Sequence, residues 1–312
     1  MEAGKPDKID LKIIRELRED GRRPTKEIAE SLSLAEPTIA SRIRALNEAG
    51  VMRVMAQVNV KRLRNRQTCF MHVWVRGREI DEVAKDLAKF DRITTVQVCV
   101  GSPEIHLMAF VEENTAILAL LQNEVGLVEG VDRLEVNLAL KTIMFRSDYA
   151  ALDLGPTGVS EVGDKLDDQI VRQLQIDGRV SNREIARTLD VPASTVRERV
   201  NRMLHGRVIR IGAVCDPGKL GLNMAAFGYL QVAAASLERA LSHLGKIDDL
   251  GIVCTVSGRH SIFVLAGARD FAHFVAIVKS RLETTPGLTE ITIRNIAEVK
   301  KHRADLIYIV DE

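Results

Sequence analysis

Two short stretches concentrate the side chains that recognise phosphates and base edges. One carries Thr38, Ser41, Arg42 and Arg44 beside Pro37; the other carries Ser194, Thr195, Arg197, Arg199, Asn201 and Arg202 around Glu198. A guanidinium fork pairs bidentately with phosphate or guanine, an Asn amide with adenine, and a hydroxyl with backbone or base. Just downstream, Val51-Met52-Arg53 and Val208-Ile209-Arg210 read as short apolar-basic hairpins, wings from which Arg53 and Arg210 would touch a nucleic-acid backbone.

For these groups to enter a major groove they must share the outer face of a helix. Ile39, Ile43 and Leu46 recur at helical spacing, as do Val196, Val200 and Met203, so the apolar stripe turns inward and the polar set outward. Two shorter amphipathic segments precede each run: Ile13, Ile14, Leu17 and Ile28, Leu32 in the first, Ile170, Val171, Leu174 and Ile185, Leu189 in the second. With the tight turn Ser33-Leu34-Ala35 and the small Ala29 at the expected crossing, this is the sequence form of a helix-turn-helix. Ser181-Asn182-Arg183-Glu184 predicts a capping box; Pro24 stands at the matching position, which predicts that the cap of that helix shifts to Thr25.

The two stretches belong to two copies of one module. Asp10 and Asp167, Gly21 and Gly178, Gly101 and Gly258, and Gly130 and Gly287 all share one offset, and Asp-Gly-Arg and Glu-Ile-Ala recur with it. Roughly 16 of 46 positions are identical between 8–53 and 165–210, a period far too long for a solenoid unit and long enough for a module with its own core.

After each helical part the pattern changes to β-branched runs. Strands are expected at Phe70–Val75, Ile93–Val100, Ile105–Val111 and Leu134–Leu138, with helices at Ile80–Lys89 and Ala116–Val125. The second copy repeats the order with strands at Phe227–Val232, Leu250–Val256, Ile262–Ala266 and Ile291–Ile293 and helices at Leu237–Leu244 and Phe271–Leu282. The fold class is therefore α+β: a winged helix-turn-helix followed by a ferredoxin-like βαββαβ sandwich, twice. The expected boundaries are 1–60, 61–152, a Gly/Pro-containing linker at 153–163, 164–217 and 218–312, with Leu306–Val310 as an added edge strand.

Composition narrows the function classes. The 312 residues are 46% hydrophobic, 28% charged and 4% aromatic, which suits soluble aliphatic cores. A formal net charge of +1 gives no global basic field, so a nucleic-acid surface must be local. Cys69, Cys99, Cys215 and Cys254 form no Cys-x-x-Cys pair and sit in apolar runs, pointing to reduced buried thiols in a cytoplasm. The charged start of the chain and the short apolar stretch Ala225–Ala235 argue against a signal peptide and against membrane insertion. His72, His106, His205, His243, His273 and His302 are scattered along the chain, so no metal and no cofactor are expected.

These residues resemble the Lrp/AsnC (leucine-responsive, feast/famine) family of transcription regulators. The resemblance rests on Lys8-Ile9-Asp10, Asp20-Gly21-Arg22, Glu27-Ile28-Ala29, Glu36-Pro37-Thr38-Ile39, Arg42-Ile43 and Ala49-Gly50-Val51-Met52. In the second copy it rests on Lys165-Leu166-Asp167, Asp177-Gly178-Arg179, Glu184-Ile185-Ala186, Ser194-Thr195-Val196, Arg199-Val200 and Val208-Ile209. It implies a sequence-specific reader of double-stranded DNA, and a RAM-type sandwich that senses a small metabolite such as an amino acid and through which protomers pair. A duplicated chain could make that pair internally as a pseudo-dimer or join others as a homo-oligomer. The resemblance also places effector binding at the loop between the second and third sandwich strands, here Gly101, Ser102 and Glu104, and Gly258, Arg259, His260 and Ser261. The Asp expected three residues after the Gly is absent from both loops; Glu104 could still accept from an ammonium, whereas Ser261 carries no charge.

Sirohaem decarboxylases resemble the same family and offer the enzymatic alternative. Their His-Asn-Tyr type segment has no counterpart in 94–98 or 251–255, so a non-enzyme is expected. A third alternative is an interaction protein that no longer binds DNA.

Overall fold

The computed structural model describes residues 6–62, 67–111, 114–146, 149 and 162–307. The first repeat runs α1 (Lys8–Glu19), α2 (Thr25–Leu32), α3 (Glu36–Glu48), β1 (Met52–Asn59), β2 (Gln67–Val75), α4 (Ile80–Leu87), β3 (Ile93–Cys99), β4 (Ile105–Val111), α5 (Asn114–Asn123) and β5 (Val131–Phe145). The second runs α6 (Lys165–Ile176), α7 (Asn182–Leu189), α8 (Ala193–His205), β6 (Ile209–Cys215), β7 (Met224–Val232), α9 (Leu237–Leu244), β8 (Leu250–Val256), β9 (Ile262–Ala268), α10 (Phe271–Ile277), β10 (Leu288–His302) and β11 (Leu306–Ile307). Residues 153–161 of the expected linker and the end of the proposed edge strand, Tyr308–Val310, lie outside the described residues.

The repeats do not fold as two successive domains. One compact unit gathers both three-helix segments with β1, β6 and β11, and the other gathers both βαββαβ segments.

In the helical unit most of each stripe read from sequence is buried, Ile13, Ile14 and Leu17 on α1, Ile39 and Leu46 on α3, and Val196, Val200 and Met203 on α8, while Leu32, Ile43 and Leu189 are half-buried. Asp7 caps α1 reciprocally with Asp10, and Asp164 caps α6 by accepting from Leu166 N and Asp167 N. Ser181 caps α7 by accepting from Glu184 N. The cap expected at Thr25 is not there: α2 begins after Pro24 without a side-chain cap, because proline at that position already sets the entry φ and Thr25 Oγ1 is engaged by Arg179.

The wings are a larger correction. Neither β1 nor β6 folds back as a hairpin; they pair with each other, antiparallel, from Met52↔Cys215 to Val58↔Ile209. Seven-residue and eight-residue apolar strands bury better against each other than as solvent-exposed wings, and all of β1 but Arg53 is buried. The ribbon is flanked in matching fashion by trailing segments, with Leu306 and Ile307 parallel to β1 and Tyr149 bridging Cys215 of β6.

In the other unit the strands close into a barrel in the order β10-β3-β4-β2-β5-β8-β9-β7. Each repeat supplies the ferredoxin-like order, and the seams are β5 with β8 and β10 with β3. The fourth strands are 15 residues long, far beyond the Leu134–Leu138 and Ile291–Ile293 read from sequence, because their outer halves pair across the repeats and need no strong apolar alternation of their own. The predicted helix Phe271–Leu282 ends as α10 at Ile277 and continues as a π-helical turn, Val278–Leu282. Leu107 of β4 shares one core with Val83 of α4 and Leu120 of α5, and Leu230 of β7 shares another with Leu241 of α9 and Ile277 of α10.

Candidate nucleic-acid interface

On α3, Thr38, Ser41 and Arg44 are exposed, as are Ser194, Arg197, Asn201 and Arg202 on α8, while Thr195 is half-buried. These are the residues whose spacing placed them outward, opposite Ile39 and Val196.

Arg42 and Arg199, at equivalent positions of the two repeats, have a different setting. Arg42 Nη1 donates to Asp7 Oδ2 and Asp10 Oδ1, both at 2.8 Å. Arg199 Nη1 donates to both oxygens of Asp164 at 2.6 Å and to Asp167 Oδ1 at 2.9 Å. Arg202 Nη2 adds a 2.7 Å bond to Asp167 Oδ2. The Arg199 guanidinium, aided by backbone N–H donors, holds the Asp164 carboxyl down at about 2. For Asp7 the Asp10 N–H and then Arg42 act in the same direction. These arginines thus tie the middle of the recognition helix to the N-terminal turn of the first helix, so Arg42 and Arg199 set its pose while Arg44, Arg197 and Asn201 remain exposed at its surface.

Arg53 and Arg210 lie on the ribbon between the repeats rather than on wings. Arg53 pairs in register with Val214, and Arg210 Nη2 donates to Arg18 O at 3.1 Å.

The Asp-Gly-Arg motif gains a role that sequence reasoning missed. Gly21 N donates to Ile211 O and Gly178 N to Val54 O, so both turns lie against the ribbon. A Cβ on Gly21 would stand 2.9 Å from Gly212 Cα, and one on Gly178 would stand 3.0 Å from Met55 Cα. Only glycine lets backbone approach backbone so closely. The signal was there, since the tripeptide is identical in both repeats; its partner was not.

The two candidate effector loops have different polar partners. Gly101 and Gly258 both take left-handed φ, +89° and +101°. Loop 101–104 sits on the β10 seam, where Arg294 Nε donates to Ser102 O at 3.1 Å, and Glu104 Oε2 accepts from Val75 N at 3.0 Å. Loop 258–261 sits on the β5 side, where Leu138 N donates to Ser257 Oγ at 2.8 Å. There Arg259 Nη2 donates to both oxygens of Glu290 at 2.9 and 3.1 Å, His260 Nε2 lies 3.7 Å from Glu290, and Ser261 Oγ donates to Gln231 at 3.0 Å.

Inside the barrel, rings that look scattered in sequence converge. Phe70 stacks on Phe263 with centroids 4.1 Å apart and His106 on Phe227 at 4.2 Å, with His72 edge-on to Tyr229 at 4.9 Å. His106 Nδ1 meets Gln97 Oε1 at 3.1 Å. Burial lowers His72 to about 4 and holds His106 well below its ordinary value, so both imidazoles are neutral. The four cysteines are buried, and burial pushes the Cys69 and Cys99 thiols up to about 12. Among the described residues no group of three or more His, Cys, Asp or Glu could hold a metal ion, and no helix is long and apolar enough to cross a membrane.

Comparison with known proteins agrees with this architecture. The AsnC-type helix-turn-helix domain model matches residues 7–47 and again 164–204, and the Lrp/AsnC ligand binding domain model matches 68–148. An uncharacterized HTH-type transcriptional regulator of Pyrococcus abyssi is 33% identical over 139 residues, covering 44% of this chain and 88% of its own. The HTH-type transcriptional regulator FL11 of Pyrococcus horikoshii is 34% identical over 137 residues, covering 44% and 90%. Among solved structures, the siroheme decarboxylase NirDL superposes with a TM-score of 0.67 over 97% of this chain and 94% of its own at 14% identity, a likeness of fold. A chain with two AsnC-type reading heads and relatives of this kind belongs to the Lrp/AsnC family of helix-turn-helix transcriptional regulators, in a tandem-duplicated form.

Proposed function

We propose that this chain is a sequence-specific reader of double-stranded DNA that uses α3 and α8 on two unequal half-sites, acting in the cytoplasm as a regulator tuned by a small metabolite. The observation that carries the reading is the pair of exposed faces. Thr38, Ser41 and Arg44 on one helix and Ser194, Arg197, Asn201 and Arg202 on the other present different donors from equivalent frames. Two such helices related by a pseudo-two-fold suit half-sites about 34 Å apart, or a multiple of it. We take 153–163 as the connector between repeats.

The test is fluorescence anisotropy of the full chain with duplexes recovered by in vitro selection. Affinity should fall steeply and linearly with salt on logarithmic axes, as counterions are released. Selection of no duplex, or binding indifferent to salt, would overturn the reading in favour of an interaction protein.

The effector reading draws its support from the family, with an amino acid as the first candidate class. Glu104 already accepts from Val75 N, and Arg259 already pairs with Glu290, so a ligand at either loop would have to share or displace these partners. A thermal-shift screen of amino acids against the full chain, repeated with Glu104→Gln and Arg259→Ala, would decide whether either loop takes part.

The decarboxylase reading has one observation behind it, the fold it shares with NirDL over nearly the whole chain. Against it, the imidazoles of His72 and His106 inside the barrel are both packed between rings and held neutral. Titration with an iron tetrapyrrole, followed by visible absorbance, separates the readings: a saturable shift favours the enzyme and its absence the regulator.

A further inference from the structure

The helical unit is crossed by polar groups that leave one repeat and end on the other, and the two most elaborate are the arginines of the duplicated Asp-Gly-Arg motif. Arg22 donates through Nη1 to Asn182 Oδ1 at 3.0 Å and through Nη2 to Val180 O. Its counterpart Arg179 donates through Nη1 to Gly21 O at 2.8 Å and Arg23 O at 3.1 Å, and through Nη2 to Thr25 Oγ1 at 3.3 Å. Each fork therefore grips the turn that leads into the other repeat's α2 or α7. A guanidinium presents its donors in a rigid plane, so several bonds from one group fix an angle as well as a distance.

The far ends of the recognition helices are held across the repeats as well. Lys219 Nζ donates to Ala49 O, just past α3, and Asn59 Nδ2 donates to Arg207 O at 2.9 Å, just past α8. Between these grips runs the β1–β6 ribbon, against which Gly21 and Gly178 lie backbone to backbone. Each helix-turn-helix is thus gripped by the other repeat both ahead of its middle helix and behind its recognition helix.

We infer that Arg22 and Arg179 are positioning residues that set the separation and angle of α3 and α8, so that this protein discriminates operators by the spacing between half-sites. The inference rests on the DNA-reading proposal for its operator part only. Neither arginine needs to touch DNA: each acts through the frame that carries the reading helix.

Two measurements on the full chain test it. Spin labels at Glu48→Cys and His205→Cys, exposed and at equivalent positions on the two recognition helices, report their separation. The four native cysteines are buried, and burial raises the thiols of Cys69, Cys99 and Cys254, so the introduced ones take the label. The parent should give one narrow distance distribution and the Arg22→Ala, Arg179→Ala double variant a distinctly broader one; an unchanged width would overturn the clasp. For the second measurement, a duplex selected by the parent is lengthened by two base pairs between half-sites. The parent should lose about tenfold in affinity and the double variant less than about threefold, while binding to a single half-site changes less than about threefold in both. Equal spacing penalties in parent and variant would overturn the operator part.

Asn182→Ala with Thr25→Ala, which removes the side-chain acceptors instead, repeats both measurements if the double arginine variant melts early. If the parent selects no duplex, the DNA reading and the operator part fail together, and the distance arm alone upholds or overturns the clasp.

Discussion

Arg199 reaches from the recognition helix to Asp167, 2.9 Å away and 5% exposed, and is one of two guanidiniums that neutralise it. The same position in the first repeat, Arg42, meets Asp10 in the same way. A residue that looked from sequence like a contact for DNA thus sits in the frame of the domain, which separates two classes of mutation.

Arg199→Ala should destabilise the chain by about 1–3 kcal/mol, since it leaves a buried carboxylate with half of its ion-pair partners. Arg197→Ala should stay within about 0.5 kcal/mol because the side chain is exposed. Chemical unfolding of both variants checks this; equal effects would contradict the framing role.

For DNA affinity the order reverses. Arg197→Ala and Asn201→Ala should each weaken binding to a selected duplex by about 1–3 kcal/mol and relax selectivity in one half-site, with stability unchanged. Arg44→Ala should act on the other half-site. Competition assays with half-site variants distinguish the two, and unchanged affinity in all three variants would remove α3 and α8 as the reading faces.

Gly21→Ala and Gly178→Ala should each cost about 1–3 kcal/mol, because the new methyl meets Gly212 or Met55 backbone on the ribbon. Both glycines are in the same kind of approach, so the two losses should be similar. Thermal melts of the single variants are sufficient.

The barrel should be acid-sensitive. His72 and His106 are neutral in the fold, and an unfolded imidazole takes its proton near pH 6.5, whereas burial drops His72 to about 4 and His106 well below the ordinary imidazole value. Between those values the unfolded chain binds more protons than the folded one, so stability is fully present above about pH 6.5 and declines as pH falls. His72 alone accounts for on the order of 3 kcal/mol by pH 4. The second repeat has Tyr229 and Phe263 at the equivalent positions, so the variant His72→Tyr with His106→Phe should flatten the decline, measured as unfolding free energy between pH 4 and 7.

Duplication, helix positions and the family were legible in the residues themselves. Identity at a constant offset survives without any knowledge of folding, and the stripes Ile39, Ile43, Leu46 and Val196, Val200, Met203 follow from helical geometry within a dozen residues. Strands Ile105–Val111 and Leu250–Val256 were equally local, as was the helix Leu237–Leu244, and all three stand as read. The outward sets on α3 and α8 came from the same arithmetic.

Tertiary structure decided the partners. Val51-Met52-Arg53 and Val208-Ile209-Arg210 each hold a strand, and nothing within either says that it will pair with the other instead of folding back. Arg22 carries donors that any carbonyl could satisfy, and its acceptors at Val180 and Asn182 lie in the other repeat. Arg42 and Arg199 were read from sequence as DNA contacts and are bonded to aspartates of the first helix's N-terminal turn. Periodicity encodes which face of an element is apolar; which distant group meets its polar atoms depends on how the whole chain closes, and that choice is made only when both copies pack together.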